Sequence, residues 1–258
     1  MIVAGKRILE VFLRIFGRRR VALKNLDVVF PEKTREEKEY LYDKCVSFFW
    51  SCLCEILSLK IYKRSWLEQN VIISNRDELV RISRLGCVFL SAHFSNFEIL
   101  PQLAYQLNQT LRFIAKPVRP TFLNKIILGL RERNGAKFTG NPREVVSCLR
   151  ENGCVGFLFD QHSSSKKSAI IPFCSVNASF NPFIFVLSST APTIFCYLIR
   201  TKEKYVLQWK YLGCLRDYSG RDDFAKILNS NLEGLIRNYP EQYFWFHRRW
   251  KASVDYGS

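Results

Sequence analysis

The 258-residue chain has no run of 18 or more apolar residues, so the sequence offers no helix able to cross a bilayer. It has no Cys-x-x-Cys pair. The nine cysteines are scattered, and Cys52 and Cys54 are separated by a single residue, which is poor spacing for zinc or a disulfide framework. Neither a metal nor another cofactor is expected, and unpaired thiols fit a reducing compartment, the cytoplasm. Acidic residues are scarce, 23 against 39 Lys and Arg, leaving a net charge of +16 that calls for an anionic partner. No RRM, KH or zinc-finger signature accompanies that charge, so nucleic acid is not the expected partner. Internal repeats and low-complexity linkers are also missing, and the chain reads as one domain over 1–258.

Aromatic residues are plentiful: 21 Phe, 11 Tyr and 5 Trp. Rings with polar tips suit a water–lipid boundary and suit a large core equally well. Near the N-terminus, Ile2, Val3, Ile8, Leu9, Val11, Phe12, Ile15 and Phe16 form a helical stripe with Lys6, Arg7 and Arg14 outside it, followed by Arg18–Arg19–Arg20. Residues 1–20 therefore read as an interfacial amphipathic helix, or as a helix packed on its own domain.

The first 85 residues read as helices, with a turn at Pro31. After Gly86 the texture changes to short apolar runs. Buried strands are expected over 87–92, 112–116, 154–159 and 193–199, with an alternating edge strand over 205–209. Helices are expected over 122–133, 143–151 and 222–238. Strands alternating with helices predict an α/β fold around a mostly parallel sheet, with functional residues just past the carboxyl ends of strands.

One strand end carries Ser91-Ala92-His93-Phe94-Ser95-Asn96-Phe97-Glu98. His93 and Glu98, five apart, would lie about 140° apart on one helix. They can meet only if His93 sits in the loop and Glu98 in the first turn of the next helix, where Ser95 and Glu98 have capping-box spacing. Two readings stand for each residue: Glu98 orients a catalytic His93, or it caps the helix; His93 is a base, or a buried strand-end histidine. The chemistry that wants such a pair is attack by a hydroxyl, which needs a base with a pKa near 6.5 and a carboxylate behind the ring.

His-x4-Glu after an apolar strand resembles the signature of the bacterial lipid A late acyltransferases, shared by the wider glycerolipid acyltransferases, usually with Asp for Glu. Further blocks resemble the narrower family: Asn25-Leu26 and Phe30-Pro31-Glu32; Arg119-Pro120, Asn124 and Arg131-x3-Gly135; Gly156-Phe157-Leu158-Phe159-Asp160-Gln161 with Ile171-Pro172-Phe173; and the run from Pro240 to Lys251 that includes Trp245, His247, Arg248, Arg249 and Trp250. Five ordered blocks cover almost the whole chain. Two departures stand out: the membrane-spanning helix with which family members usually begin, and the second acid and glycine usual after Asp160-Gln161.

The resemblance implies a glycerolipid-acyltransferase-like α/β fold with a helical N-terminal part. It implies His93 as general base and Glu98 as its partner. Arg119, Arg131, Asp160, Gln161, Arg248 and Arg249 become candidate substrate-binding residues: Arg131 beside the developing oxyanion, Asp160 toward the acceptor, and the last two arginines, flanked by Trp245 and Trp250, for lipid phosphate. The donor would be an acyl carrier protein thioester and the acceptor a hydroxyl of a lipid A precursor, or alternatively of a glycerophospholipid or other glycolipid. The location implied is the cytoplasmic face of the inner membrane, against anionic lipid, peripheral or anchored by a segment absent from this sequence. Cys87, inside an apolar strand, is not expected to act as an acyl carrier. A basic binder without catalysis explains the charge and leaves His93, Glu98 and the ordered blocks unexplained.

Overall fold

A computed structural model describes residues 18–107, 110–115 and 121–257. Arg119 and residues 1–17 of the expected interfacial helix lie outside the described residues.

Two helices open the described chain, α1 (Arg18–Val29) and α2 (Arg35–Leu57). Thr34 caps α2 and exchanges hydrogen bonds with Glu37 in a reciprocal capping box, satisfying amides that the first turn leaves free. Then come α3 (Arg64–Asn70), β1 (Val71–Ile73), α4 (Arg76–Ser83), β2 (Val88–Ser91), a 3-10 segment (Phe97–Leu103) running into α5 (Ala104–Leu107), β3 (Leu111–Ile114), α6 (Thr121–Arg131), β4 (Ala136–Thr139), α7 (Pro142–Arg150) and β5 (Cys154–Leu158). A hairpin follows, β6 (Ala169–Phe173) with β7 (Val176–Phe180), then α8 (Phe183–Thr190), β8 (Thr193–Arg200), β9 (Tyr205–Gly213) and α9 (Arg221–Asn238).

Seven strands form one sheet in the order β1-β9-β8-β2-β5-β3-β4, parallel at every pairing except β8 with β9. The α/β class and the helical N-terminal part follow the expectation. Four differences are instructive. β1 falls inside the stretch read as all helix. β9 is longer than expected and is not the edge, because β1 pairs with its first three residues. β4 carried no apolar run to announce it, and the β6–β7 hairpin was not anticipated although β6 is apolar throughout.

The sheet is covered on both faces, which is why β2 is buried at every position rather than alternating. Val88 and Leu90 face a core built with α1, α2, α7, α8 and α9. Cys87 and Phe89 face a second core built with α3, α4, α5 and the 3-10 segment. Of the nine cysteines, all free, eight are buried. No helix among the described residues is long and apolar enough to cross a membrane.

Candidate active site

β2 and β5 are parallel neighbours in register, Val88 opposite Val155 through Ser91 opposite Leu158. The ladder continues one step with Phe159 N–H donating to the Ser91 carbonyl at 2.9 Å. The next register positions are His93 and Asp160, so two strand ends deliver an imidazole and a carboxylate side by side. His93 Nδ1 lies 2.7 Å from Asp160 Oδ1, and the His93 amide donates to Oδ2 at 3.1 Å. Asp160 is fully buried. Burial alone would raise its carboxyl, but His93 and His247 outweigh burial and hold it well below the usual carboxylate range. An ionised carboxylate only accepts, so His93 Nδ1 carries the proton and Nε2 presents a lone pair. That nitrogen accepts from the Gln161 amide at 3.1 Å, and Gln161 is exposed.

The expected pairing of His93 with Glu98 is not the one present here. Glu98 stands in the first turn of the 3-10 segment, as anticipated, but its carboxylate is forked by Arg131, with Nε donating to Oε2 at 2.9 Å and Nη2 to Oε1. A planar guanidinium facing a carboxylate makes two charge-assisted bonds, a stronger claim on Glu98 than one imidazole could make. The Ser95–Glu98 capping box does not form either. Ser95 takes φ of +54°, Asn96 occupies the N-cap, and the buried Ser95 hydroxyl has no hydrogen-bond partner. A non-glycine residue in the left-handed region marks a sharp turn, and this one follows His93 by two residues. Arg131 is held at the end of α6 by Gln102, whose amide donates to its carbonyl at 3.1 Å.

The end of the chain packs against the strand end that carries His93. His93 carbonyl accepts from Phe244 N–H at 2.9 Å and Gln242 carbonyl from Ser95 N–H at 2.7 Å, pairing the C-terminal segment with the strand end. Asn25 pins that segment from α1, its amide donating to the Trp245 and His247 carbonyls at 2.7 and 2.8 Å. His247 Nε2 donates to the Asp160 carbonyl at 3.1 Å, and burial lowers its pKa to about 4. Its other ring nitrogen is buried without a partner. His247 was quoted within the C-terminal block but given no role; a histidine among aromatics beside two arginines was the available signal.

Arg248 is exposed, whereas Arg249 is not. Arg249 is fully buried, donates to the Ser179 carbonyl at 2.6 Å and lies 5.3 Å over the Phe173 ring. Trp250 stacks on Phe173 and donates to its carbonyl at 2.9 Å, and Trp245 donates to the Pro240 carbonyl at 2.7 Å; both indoles are buried. These two tryptophans and Arg249 hold the C-terminal segment in place instead of meeting lipid. The buried Asp160 likewise grips His93 and does not reach toward an acceptor.

A cleft of about 670 Å³ opens in front of His93. Glu98, Arg131 and Gln161 line it, as do His162 and Ser163, which the sequence reading had not singled out. His162 Nδ1 is 2.8 Å from the Ser179 hydroxyl, so β7 steadies that wall. Cys87 lies outside the cleft, fully buried, its thiol pushed well up by its contact with Cys154 and by burial.

A histidine hydrogen-bonded to a buried carboxylate at the ends of adjacent parallel strands is an arrangement chemically able to activate a hydroxyl. The model of the bacterial lipid A biosynthesis acyltransferase family matches residues 3–252. The chain belongs to that family. This acyltransferase is similar to the lipid A biosynthesis palmitoleoyltransferase of Escherichia coli K12, 25% identical over 249 residues, 93% of this chain and 81% of the relative. A lipid A biosynthesis acyltransferase of Shigella flexneri matches with the same identity and coverage. Acyl transfer in lipid A biosynthesis is thus the chain's class of activity.

Proposed function

We propose that the enzyme moves a fatty acyl chain from an acyl carrier protein thioester to a hydroxyl of a lipid A precursor, with His93 as general base and Asp160, not Glu98, as the group that orients it. The observation that carries the assignment is the hydrogen bond between His93 and Asp160 at neighbouring strand ends, with Nε2 turned to the cleft residue Gln161. The acceptor hydroxyl takes the place of the Gln161 amide at Nε2. As its oxygen adds to the thioester carbonyl, its proton passes to His93, and the buried Asp160 stabilises the imidazolium. The tetrahedral oxyanion then collapses, the C–S bond breaks, and His93 returns the proton to the leaving thiolate. No acyl-enzyme is required, and the inert Cys87 supports direct transfer.

Glu98 is a positioning residue in this scheme, acting through Arg131. Their fork fixes a guanidinium at the side of the cleft, where positive charge stabilises the oxyanion or engages phosphate on the acceptor. Gln161 marks the acceptor position. The net charge of +16 suits both an acidic carrier protein and an anionic membrane surface, the latter placing the enzyme peripherally on the inner membrane. Exposed Lys166, Lys167 and Arg248 are available for such contacts.

Mass spectrometry of lipid A from cells with and without the gene tests the reading. The expected result is loss of one secondary acyl chain without the gene and its return with wild-type enzyme but not with His93→Ala. Unchanged lipid A together with an altered phospholipid profile would move the acceptor to a glycerophospholipid.

A further inference from the structure

The turn that follows His93 is strained, and part of what holds it lies outside the cleft. Ser95 sits in the left-handed region at φ +54°, and its buried hydroxyl has no hydrogen-bond partner. A non-glycine residue in that state persists only where its surroundings over-determine it. Asn96, next in the chain, occupies the N-cap of the 3-10 segment without a side-chain capping bond. An asparagine at that position ordinarily accepts from an amide of the first turn. Here the side chain is buried, and its amide donates instead to Glu55 Oε2 of α2 at 2.9 Å.

Two more donors converge on Glu55. The Tyr205 hydroxyl, at the start of β9, donates to the same oxygen at 2.6 Å, and Arg200 Nη2, at the end of β8, pairs with Oε1 at 3.1 Å. Burial, and after it Cys52 and Glu55, push the Tyr205 pKa up, so the hydroxyl stays protonated. Arg200 and Tyr205 are register partners, and the guanidinium lies 5.5 Å over the Tyr205 ring. The Arg200 backbone is gripped in turn by Gln242, which accepts from its N–H at 2.9 Å and donates to its carbonyl at 3.0 Å. The Gln242 carbonyl is the acceptor for Ser95 N–H. The strained residue and the one after it are therefore tied, through Gln242 and Glu55, to one arginine at a strand end. None of Glu55, Asn96, Arg200 and Tyr205 lines the cleft.

We propose that Glu55 is a positioning residue for the catalytic histidine: through Asn96 it holds the turn after β2 in its left-handed kink, so that His93 meets Asp160. The inference rests on His93 as the base of the acyl transfer and adds the brace behind it. A displacement of about 1 Å at a reacting group can cost about 100-fold in rate, so a loosened turn is read first in kcat. Glu98, beyond the kink, has its own anchor in Arg131, and the cleft walls keep their contacts, so KM stays in place. A charge cluster with no such task would lower stability alone.

The test uses the full-length enzyme in a functional double-mutant cycle, with an acyl carrier protein thioester as donor and a lipid A precursor as acceptor. Glu55→Ala and Asn96→Ala should each lower kcat at least about tenfold, with KM for both substrates within about twofold. Because both act through one hydrogen bond, the double variant should lose no more than about twofold beyond the worse single. Tyr205→Phe takes a hydrogen bond from the same oxygen and leaves the Asn96 bond in place. It should lower the melting temperature while kcat stays within about twofold. Losses that multiply in the double variant, or a kcat loss in Tyr205→Phe equal to that in Glu55→Ala, would overturn the proposal. Should Glu55→Ala not fold, a swap replaces it. Asn96→Asp sets two carboxylates against each other and should cut kcat; adding Glu55→Gln, whose amide donates to the introduced carboxylate, should restore at least about tenfold. No recovery would contradict the brace. A readout independent of turnover is the His93 Nδ1 proton, whose exchange with water should quicken at least about tenfold in Glu55→Ala and not in Tyr205→Phe. That pattern in an enzyme that turns over no thioester would sink the acyltransferase reading and keep the brace. Turnover with unchanged exchange in Glu55→Ala would do the reverse.

Discussion

Two acid–base pairs stand in one cleft, and they are built differently. His93–Asp160 joins residues 67 apart in sequence through a carboxylate with no solvent exposure. Glu98–Arg131 joins a 3-10 turn to a helix end, and both side chains keep some exposure, 14% and 22%. The first pair is set by backbone register: once β2 and β5 align, the residues beyond their last pairing meet without any flexible side chain having to search. The second depends on side-chain reach and stays open to substrate. A rigid, desolvated carboxylate suits the task of holding one imidazole tautomer, and a partly exposed fork suits a task that varies with what is bound.

The largest effects should separate the pairs by activity. Asp160→Asn keeps the shape but removes the charge that stabilises imidazolium, and should cut turnover at least about 100-fold, as should His93→Ala. Glu98→Gln should cost less, about tenfold, and chiefly through KM, because Arg131 loses its anchor while His93 keeps its own. Equal losses in kcat for Asp160→Asn and Glu98→Gln would erase the distinction.

A second effect comes from the other side of Asp160. His247 has a pKa of about 4 in the folded protein against about 6.5 unfolded. Between those values the unfolded chain binds a proton that the folded one refuses. The contribution is fully present above pH about 6.5 and is lost as pH falls toward 4, amounting to about 3 kcal/mol across the window. Denaturant titrations of wild type and His247→Gln should show that sag and its disappearance. An unchanged pH dependence in the variant would remove His247 from the buried network.

Neighbouring arginines repeat the contrast between buried and open. Arg249→Ala strips the Ser179 carbonyl of its donor and opens a void, so it should cost about 2 kcal/mol and lower the melting temperature by about 4–8 °C. Arg248→Ala should leave melting unchanged and weaken only salt-sensitive binding to anionic vesicles.

Much of the scaffold was legible because its central strands, β2, β5 and β8, are short apolar runs buried on both faces. β1, β4 and the β6–β7 hairpin were not: β4 and β7 are of mixed polarity, and segments of three to five residues, the apolar β1 and β6 included, become strands only when a neighbour accepts their hydrogen bonds. The site was half legible. His93 was found from its strand end, and Glu98 was placed correctly in the turn. Glu98 was paired with His93 because it is near in sequence; in the structure Arg131 holds it, and Asp160 stands beside His93 through a strand order that puts β5 beside β2 with β3 and β4 beyond. Asp160 was a candidate, but toward the acceptor. Arg249, Trp245 and Trp250 read as membrane-facing because charge beside aromatics looks the same in a sequence whether it faces lipid or a core. Their burial is decided by Phe173 and Ser179 on the hairpin, which no local pattern announces.

A smaller effect probes the forked pair alone. A double-mutant stability cycle on Glu98 and Arg131 should return a coupling of about 1 kcal/mol, while Glu98 and His93 should add within about 0.5 kcal/mol. Coupling between Glu98 and His93 in place of Arg131 would favour the sequence-adjacent dyad.

The most direct test is the imidazole proton itself. The chain has three histidines, so selective ¹⁵N-histidine labelling gives a spectrum simple enough to assign. In the wild type His93 should show a protonated, hydrogen-bonded Nδ1 and a non-protonated Nε2 at neutral pH. That signature should survive Glu98→Gln and vanish, or shift to fast exchange with water, in Asp160→Asn. Loss of the Nδ1 proton signal in Glu98→Gln with its retention in Asp160→Asn would contradict the account at its centre.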